Sequence, residues 1–253
     1  MPSFDMIRCL IMKKRIKIAL ATVTVLLIAA AAAVGIYASD YYKANETAVN
    51  MLQNNDTIEI QYIDDIVAFC PQNAHAGIIF YPGGKVEYTA YAPLLNALAE
   101  NGFLTVAVKM PLNLAVLDVN AADGIKQNFP EIEQWYMSGH SLGGSMAASY
   151  VADHTDEYEG LILLASYSTA DLSDTDIKVI SIYGTEDMVL NMENYKENYS
   201  NLPGNTEEFI IEDGCHAYFG SYGKQAGDGE AKITPQQQWE FTAETISEWI
   251  YTK

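Results

Sequence analysis

Residues 135–152 read WYMSGHSLGGSMAASYVA, and this stretch decides how the chain must fold. It begins with a short apolar run typical of a buried strand and ends in small and apolar residues typical of a helix. Between them lies a Gly-x-Ser-x-Gly motif centred on Ser141. This spacing predicts a sharp strand-to-helix turn, in which Gly139 and Gly143 leave room for the tight backbone. We therefore predict that Ser141 is a nucleophile.

The same alternation of strand and helix patterns runs through most of the chain. Short apolar runs predict strands at 58–63, 66–69, 77–81, 104–109, 135–138, 160–165, 178–183 and 207–211. Helical patterns are found at 88–101, 119–128, 142–154, 192–198 and 235–251. Such alternation predicts an α/β fold with a mostly parallel eight-stranded sheet and helices on both faces. The first two strands are almost contiguous, so we expect them to form an antiparallel hairpin at one edge.

A nucleophilic serine needs a base, and the base follows the serine along the chain in folds with this turn. Two histidines follow Ser141. His154 lies near the end of the helix that starts at the serine, which is too far from the turn. His216 follows the last predicted strand, where the base belongs. We predict His216 as the base.

The base needs a carboxylate to orient it, and the segment after the strand at 178–183 offers one. A side chain at this point lies at the carboxyl edge of the sheet, where sites form. Asp187 is the predicted acid. Glu186 is the nearest alternative, and Asp213 is a more distant one.

Backbone N–H groups are expected to stabilise the oxyanion that forms when a serine attacks a carbonyl. One donor is the N–H of Leu142, the residue after the nucleophile. The second comes from the loop after the third strand, which reads YPGGK at 81–85. Gly84 or Lys85 supplies it, and the sequence does not separate the two.

The predicted substrate pocket includes His140, at the variable position of the serine motif, and two aromatic residues after the base, Tyr218 and Phe219. We expect the His140 ring to pack beside the nucleophile rather than to transfer protons. Twelve residues separate the strands at 160–165 and 178–183, where folds of this kind usually insert a lid. This is too few for a cap domain, so we expect an open site.

Charge and composition exclude several classes of partner. Residues 39–253 carry 9 basic and 32 acidic side chains, a net charge of -23, which repels nucleic acid. The four histidines and three cysteines have no metal-ligand spacing, so we predict neither a metal nor a cofactor. A disulfide between Cys70 and Cys215 is left open, and so is the oligomeric state.

The N-terminus predicts a membrane segment. Residues 18–38 are apolar and uncharged, and five basic residues precede them. This pattern predicts a cytoplasmic N-terminus at 1–17, an anchor at 18–38, a connector at 39–56 and an extracytoplasmic domain at 57–253. The alternative is a signal peptide that is cleaved after Ala38, which would leave a secreted domain.

Four motifs resemble a bacterial group of the α/β-hydrolase superfamily that is similar to dienelactone hydrolase and carboxymethylenebutenolidase. They read YPGG at 81–84, GHSLGG at 139–144, YGTED at 183–187 and CHAYFGSYG at 215–223. The resemblance covers about residues 58–252 and implies the α/β-hydrolase fold, with a triad of Ser141, Asp187 and His216. Residues 109–115 and 227–229 (GDG) also match, without an assigned role. Dienelactone hydrolases proper use a cysteine nucleophile, whereas this motif carries Ser141, so lactone hydrolysis does not follow from the resemblance.

The sequence therefore predicts a serine hydrolase that cleaves small-molecule esters through an acyl-enzyme, as carboxylesterases do. An acyltransferase, thioesterase or peptidase could use the same triad. A membrane-tethered binding module without activity is the alternative from another class.

Overall fold

The computed structural model describes residues 4–252. The chain divides into two compact units, Met1–Asp40 and Tyr41–Lys253. In the first unit, α1 (Phe4–Ser39) is one continuous helix. Its part from Met12 to Ser39 is 28 residues long and apolar enough to cross a membrane. At about 1.5 Å per residue this part spans roughly 42 Å, more than the ~30 Å hydrocarbon core of a bilayer.

The second unit is built on eight strands. They are β1 (Ile58–Ile63), β2 (Ile66–Pro71), β3 (Ala76–Tyr81), β4 (Phe103–Val108), β5 (Trp135–His140), β6 (Gly160–Leu164), β7 (Lys178–Gly184) and β8 (Glu207–Ile211). They form one sheet in the order β1-β2-β4-β3-β5-β6-β7-β8. The pairs β1–β2 and β2–β4 are antiparallel, and all the others are parallel. The predicted mostly parallel sheet and its edge hairpin are confirmed.

Helices cover both faces of this sheet. They are α2 (Glu46–Asn50), α3 (Ala92–Glu100), α4 (Leu142–Ala152), α5 (Met192–Asn198) and α6 (Pro235–Tyr251). The buried residues of α3 and α6 belong to one apolar cluster, and those of α4 to another. Ile78 and Ile79 of β3 are both fully buried but join different clusters, because successive strand side chains point to opposite faces. The core is thus two layers divided by the sheet.

The helix predicted at 119–128 is wrong. Only a single 3₁₀ turn, Ile125–Asn128, is found there. The Tyr81 hydroxyl donates to the Val119 carbonyl and accepts from the Ala122 N–H, each at 2.8 Å, so a tertiary contact uses backbone groups that a helix would need. Gly124 then takes a left-handed φ of 77°, which interrupts any helix.

Most of the segment predicted as a connector, 39–56, belongs to the second unit and packs on it from Tyr42 onward. The Tyr42 N–H donates to the Lys85 carbonyl at 2.7 Å, and the Tyr42 carbonyl accepts from the Glu87 N–H at 2.9 Å. The Tyr42 hydroxyl also accepts from the Ala226 N–H at 3.1 Å. Backbone hydrogen bonds thus tie Tyr42 to the second unit, which begins at Tyr41.

Candidate active site

Ser141 occupies the turn between β5 and α4, with φ 53° and ψ -124°. This left-handed conformation costs a non-glycine residue about 1–3 kcal/mol, so the surroundings must impose it. The neighbouring glycines show how. A Cβ on Gly139 would lie 2.5 Å from the carbonyl carbon of Gly143, and one on Gly143 would lie 2.2 Å from the carbonyl oxygen of Tyr81. The predicted need for small residues on both sides of the serine is met by backbone-to-backbone contact.

His216 and Asp187 form a buried pair. His216 Nδ1 lies 2.8 Å from Asp187 Oδ2, and each side chain is 1% exposed. The other carboxylate oxygen, Asp187 Oδ1, accepts from the N–H groups of Val189 and Leu190 at 2.9 and 2.8 Å. The carboxylate is therefore fixed by its own loop and presents one oxygen to the imidazole.

The other acidic residues considered from the sequence face elsewhere. Glu186 and Asp213 both pair with the ammonium group of Lys232, at 2.8 and 2.9 Å, near the surface. His154 lies at the end of α4, where its Nδ1 is 2.7 Å from the Tyr150 carbonyl oxygen. Within residues 4–252, only the Asp187 carboxylate is hydrogen-bonded to the imidazole ring of His216.

The second ring nitrogen of His216, Nε2, is buried and has no hydrogen-bond partner among the described residues. The hydrogen bond from the Ser141 hydroxyl to this nitrogen is thus not formed in this structure. The residue before the serine does approach the base, since the ring centroid of His140 lies 4.4 Å from that of His216. Catalytic hydrogen bonds of hydrolases often tighten only when substrate binds.

His140 is fully buried, and its ring holds the loop after β3. Its Nδ1 lies 2.8 Å from the Tyr91 hydroxyl, which accepts from the Gly83 N–H at 3.0 Å. The Tyr91 hydroxyl accepts from Gly83 and has one hydrogen to donate, which goes to His140 Nδ1. The tautomer of His140 that allows both hydrogen bonds therefore carries its proton on Nε2. Burial, followed by the nearby His216, holds the pKa of His140 well below its ordinary value, so the ring is neutral.

The two candidates for the second oxyanion donor differ in this structure. The Lys85 N–H donates to the Asn113 carbonyl at 2.8 Å. The Gly84 N–H has no acceptor in the described part of the chain, and a Cβ on Gly84 would lie 3.5 Å from the Leu142 Cβ. Leu142 is the first residue of α4, so its N–H has no acceptor within the helix. The geometry favours Leu142 and Gly84 as the pair of donors.

A cleft of about 230 Å³ lies beside Ser141. Besides Ser141 and Leu142, its lining includes Ser145, Ser166, Tyr167, Val189, Leu190 and Asn191. The aromatic residues predicted to line the pocket lie elsewhere: Phe219 is fully buried, and Tyr218 borders a separate cavity of about 290 Å³ next to Cys215. Ser145 could have been predicted from the sequence to line the cleft, since it follows Ser141 by one helical turn. No pattern in the sequence indicates Tyr167.

The two cysteines of this unit are free. Cys70 lies on β2 and Cys215 in the loop that carries His216, so the disulfide left open from the sequence is not formed. Burial, and then the charge of Asp228, raise the pKa of Cys215 to about 12. The thiol next to the base therefore stays protonated near neutral pH and does not compete with Ser141 as a nucleophile.

The fold and the site together define a hydrolase of the α/β class. The features that do so are the strand order, the turn at Ser141 and the buried pair of Asp187 and His216. The sequence agrees, because residues 77–240 match the model of the alpha/beta hydrolase family. The chain belongs to this family, whose model spans the serine turn and the loops of both Asp187 and His216.

Solved structures share the fold at low sequence identity. A dienelactone hydrolase from Anabaena variabilis matches with a TM-score of 0.58 and 14% identity, covering 78% of this chain and 98% of its own. A predicted CIB-like hydrolase from Thermoplasma acidophilum gives 0.56 and 16%, with 76% and 99% covered. Est1E from Butyrivibrio proteoclasticus gives 0.53 and 15%, with 78% and 98% covered. No curated protein sequence matches this chain.

Proposed function

We propose that this protein is a serine esterase that cleaves small uncharged esters with a triad of Ser141, His216 and Asp187. One observation carries the proposal. The buried His216–Asp187 pair, joined at 2.8 Å, lies in ring contact with the residue before a strained serine turn. A buried imidazole that is oriented by a carboxylate and unpartnered at its other nitrogen is the arrangement that a general base needs.

The reaction proceeds in two steps. His216 Nε2 takes the proton of the Ser141 hydroxyl as the oxygen attacks the ester carbonyl, and Asp187 stabilises the imidazolium that forms. The imidazolium then protonates the leaving alcohol, which departs and leaves an acyl group on Ser141. Water repeats the sequence and releases the acid. The proposed mechanism requires that the Ser141 hydroxyl come within hydrogen-bond distance of His216 Nε2 when substrate binds.

Charge on the tetrahedral intermediate is stabilised by backbone. The N–H groups of Leu142 and Gly84 have no other acceptor in the described chain, and their residues are in contact. The N-terminus of α4 adds the positive end of its dipole at the same point. Each such donor typically contributes ~10²–10³ to kcat.

The size and charge of the site indicate the substrate class. A cleft of about 230 Å³ accommodates a short acyl group rather than a long chain. The net charge of -23 over residues 39–253 disfavours anionic esters. The basic residues that precede the apolar part of α1 support an orientation with the N-terminus in the cytoplasm. In this orientation the helix anchors the second unit on the outer side of the cytoplasmic membrane.

The test is labelling of the full-length protein in detergent micelles by a fluorophosphonate probe. We expect labelling that is lost in Ser141→Ala and His216→Ala and is at least ~10³-fold slower in Asp187→Asn. Ser149→Ala is the matched control, since this serine lies on α4 two turns further on and its hydroxyl donates, among the described residues, only to the Ser145 carbonyl. Absence of labelling in folded wild-type protein would refute the proposal and favour a binding module.

Ester hydrolysis is then measured with p-nitrophenyl esters, with and without added alcohols. Release of free acid as the main product supports an esterase. Transfer of the acyl group to the alcohol as the main reaction would instead indicate an acyltransferase.

A further inference from the structure

The Gly-Asp-Gly motif at 227–229 has no role in the proposed mechanism, yet the structure places it between the loops of the acid and the base. We call residues 225–232 the clip. Its central carboxylate, Asp228, accepts four backbone N–H groups. Oδ1 accepts from His216 at 3.2 Å, from Gly229 at 2.9 Å and from Met188 at 3.4 Å, and Oδ2 accepts from Ala217 at 2.8 Å.

These donors come from both catalytic loops. His216 and Ala217 belong to the base loop, whereas Met188 directly follows the acid, Asp187. A single side chain thus joins the backbone of the base to the backbone next to the acid. Hydrogen bonds to an ionised acceptor are roughly twice as strong as neutral ones, so a carboxylate is well suited to this task.

Both glycines of the motif serve to place the aspartate. Gly227 has a left-handed φ of 85°, which a side chain would disfavour. A Cβ on Gly229 would lie 2.0 Å from the Glu186 carbonyl oxygen, so the clip crosses the acid loop in direct contact. Lys232 fixes the end of the clip, because its ammonium group bridges Glu186 and Asp213, one residue from each catalytic loop.

We propose that Asp228 is a positioning residue, which holds His216 in register with Asp187 by fixing the backbone of both catalytic loops. This inference rests on the proposed function. The physical reason is that proton transfer tolerates little displacement: a shift of about 1 Å costs roughly 10²-fold in rate. Asp228 itself bonds backbone and touches neither hydroxyl nor imidazole in the contacts described.

The experiment compares Asp228→Asn with wild type in the full-length protein. Asparagine keeps the shape but replaces one acceptor oxygen with an NH₂ group, which faces backbone N–H donors and cannot bond them. We expect kcat and the fluorophosphonate labelling rate to fall by ~10–100-fold, with KM within about two-fold of wild type. Glu230→Gln is the matched control. The exposed Glu230 side chain pairs, in the described part of the chain, only with Lys224 at 3.6 Å, so this substitution should leave both rates unchanged.

Hydrogen–deuterium exchange provides a readout that does not depend on activity. In Asp228→Asn we expect faster exchange in peptides covering 213–220 and 187–190, and unchanged exchange in β5 and α4. Unchanged loop exchange, or a kcat within two-fold of wild type, would overturn the inference. A wild-type protein that is neither labelled nor active would instead overturn the proposed function, and the role of Asp228 in catalysis with it. A general loss of protection across the sheet would show that Asp228 supports the whole fold, which also contradicts a positioning role.

Discussion

The hydroxyl of Tyr91 offers a sharp test of the site, because removing one oxygen atom leaves two buried groups without partners. In Tyr91→Phe the N–H of Gly83 loses its acceptor at 3.0 Å and Nδ1 of His140 loses its partner at 2.8 Å. The ring itself is retained and stays packed against Phe80, so no large cavity forms.

The magnitude follows from these two groups. A buried polar group left unpaired costs about 1–3 kcal/mol, so with two such groups we expect Tyr91→Phe to destabilise the domain by roughly 2–6 kcal/mol. For a domain of this size each kcal/mol lowers Tm by about 2–4 °C. Activity should also fall, because Gly83 precedes the proposed oxyanion donor Gly84. Complete loss of one donor costs ~10²–10³ in kcat, which sets the upper limit, and we expect a fall of about 10–100-fold.

The assay is urea unfolding of residues 39–253 together with kcat on p-nitrophenyl acetate. Tyr62→Phe is the control, since this tyrosine is 59% exposed on β1 and should change neither quantity. The reasoning is refuted if the free energy of unfolding of Tyr91→Phe stays within about 0.5 kcal/mol of wild type, because two unpaired buried polar groups should destabilise the fold by more than that.

Three further predictions concern pH, packing and substrate length. Because the folded-state pKa of His140 is far below 6.5, the unfolded chain binds a proton that the folded chain rejects. The free energy of unfolding should therefore fall as pH drops below about 6.5, by up to ~1.4 kcal/mol per pH unit. In His140→Gln this pH dependence, which comes from one proton, should be absent. Urea unfolding at pH 7 and at pH 5 measures it. Gly143→Ala should prevent folding, seen as loss of the cooperative unfolding transition, because its Cβ would meet a backbone oxygen at 2.2 Å; Gly204→Ala, with nothing within 4 Å, should be tolerated. Val189→Phe should narrow the cleft and lower kcat/KM for a hexanoate ester at least ~10-fold more than for an acetate ester, and equal losses would exclude Val189 from the acyl site.

Much of the fold could be predicted from the sequence because the strands are covered on both faces. Continuous apolar runs, such as Gly160–Leu164, mark such strands, and their positions agree with the structure to within one or two residues. The segment at 119–128 could not be predicted, because a distant hydroxyl, that of Tyr81, decides its backbone conformation. Local patterns contain no information on such a contact.

The candidate site divides in the same way. Ser141 and its glycines form a local motif, and chain order leads from it to Asp187 and His216. The lining of the cleft depends instead on how separate loops meet, so Tyr167 could not be found in advance. The choice between Gly84 and Lys85 also needed the structure, because an acceptor 28 residues away, at Asn113, engages the lysine N–H.

The left-handed turn at Ser141 bears on how such a protein changes over generations. Glycine adopts a φ of 53° without strain, so Ser141→Gly would relieve a conformational cost of about 1–3 kcal/mol while removing the hydroxyl. In a lineage where selection no longer maintains the Ser141 hydroxyl, this single substitution would raise stability. We therefore expect such a lineage to lose Ser141 before the other residues of the site. A chain that carries serine at this position retains a strained backbone conformation, and what it gains in return is the hydroxyl oxygen.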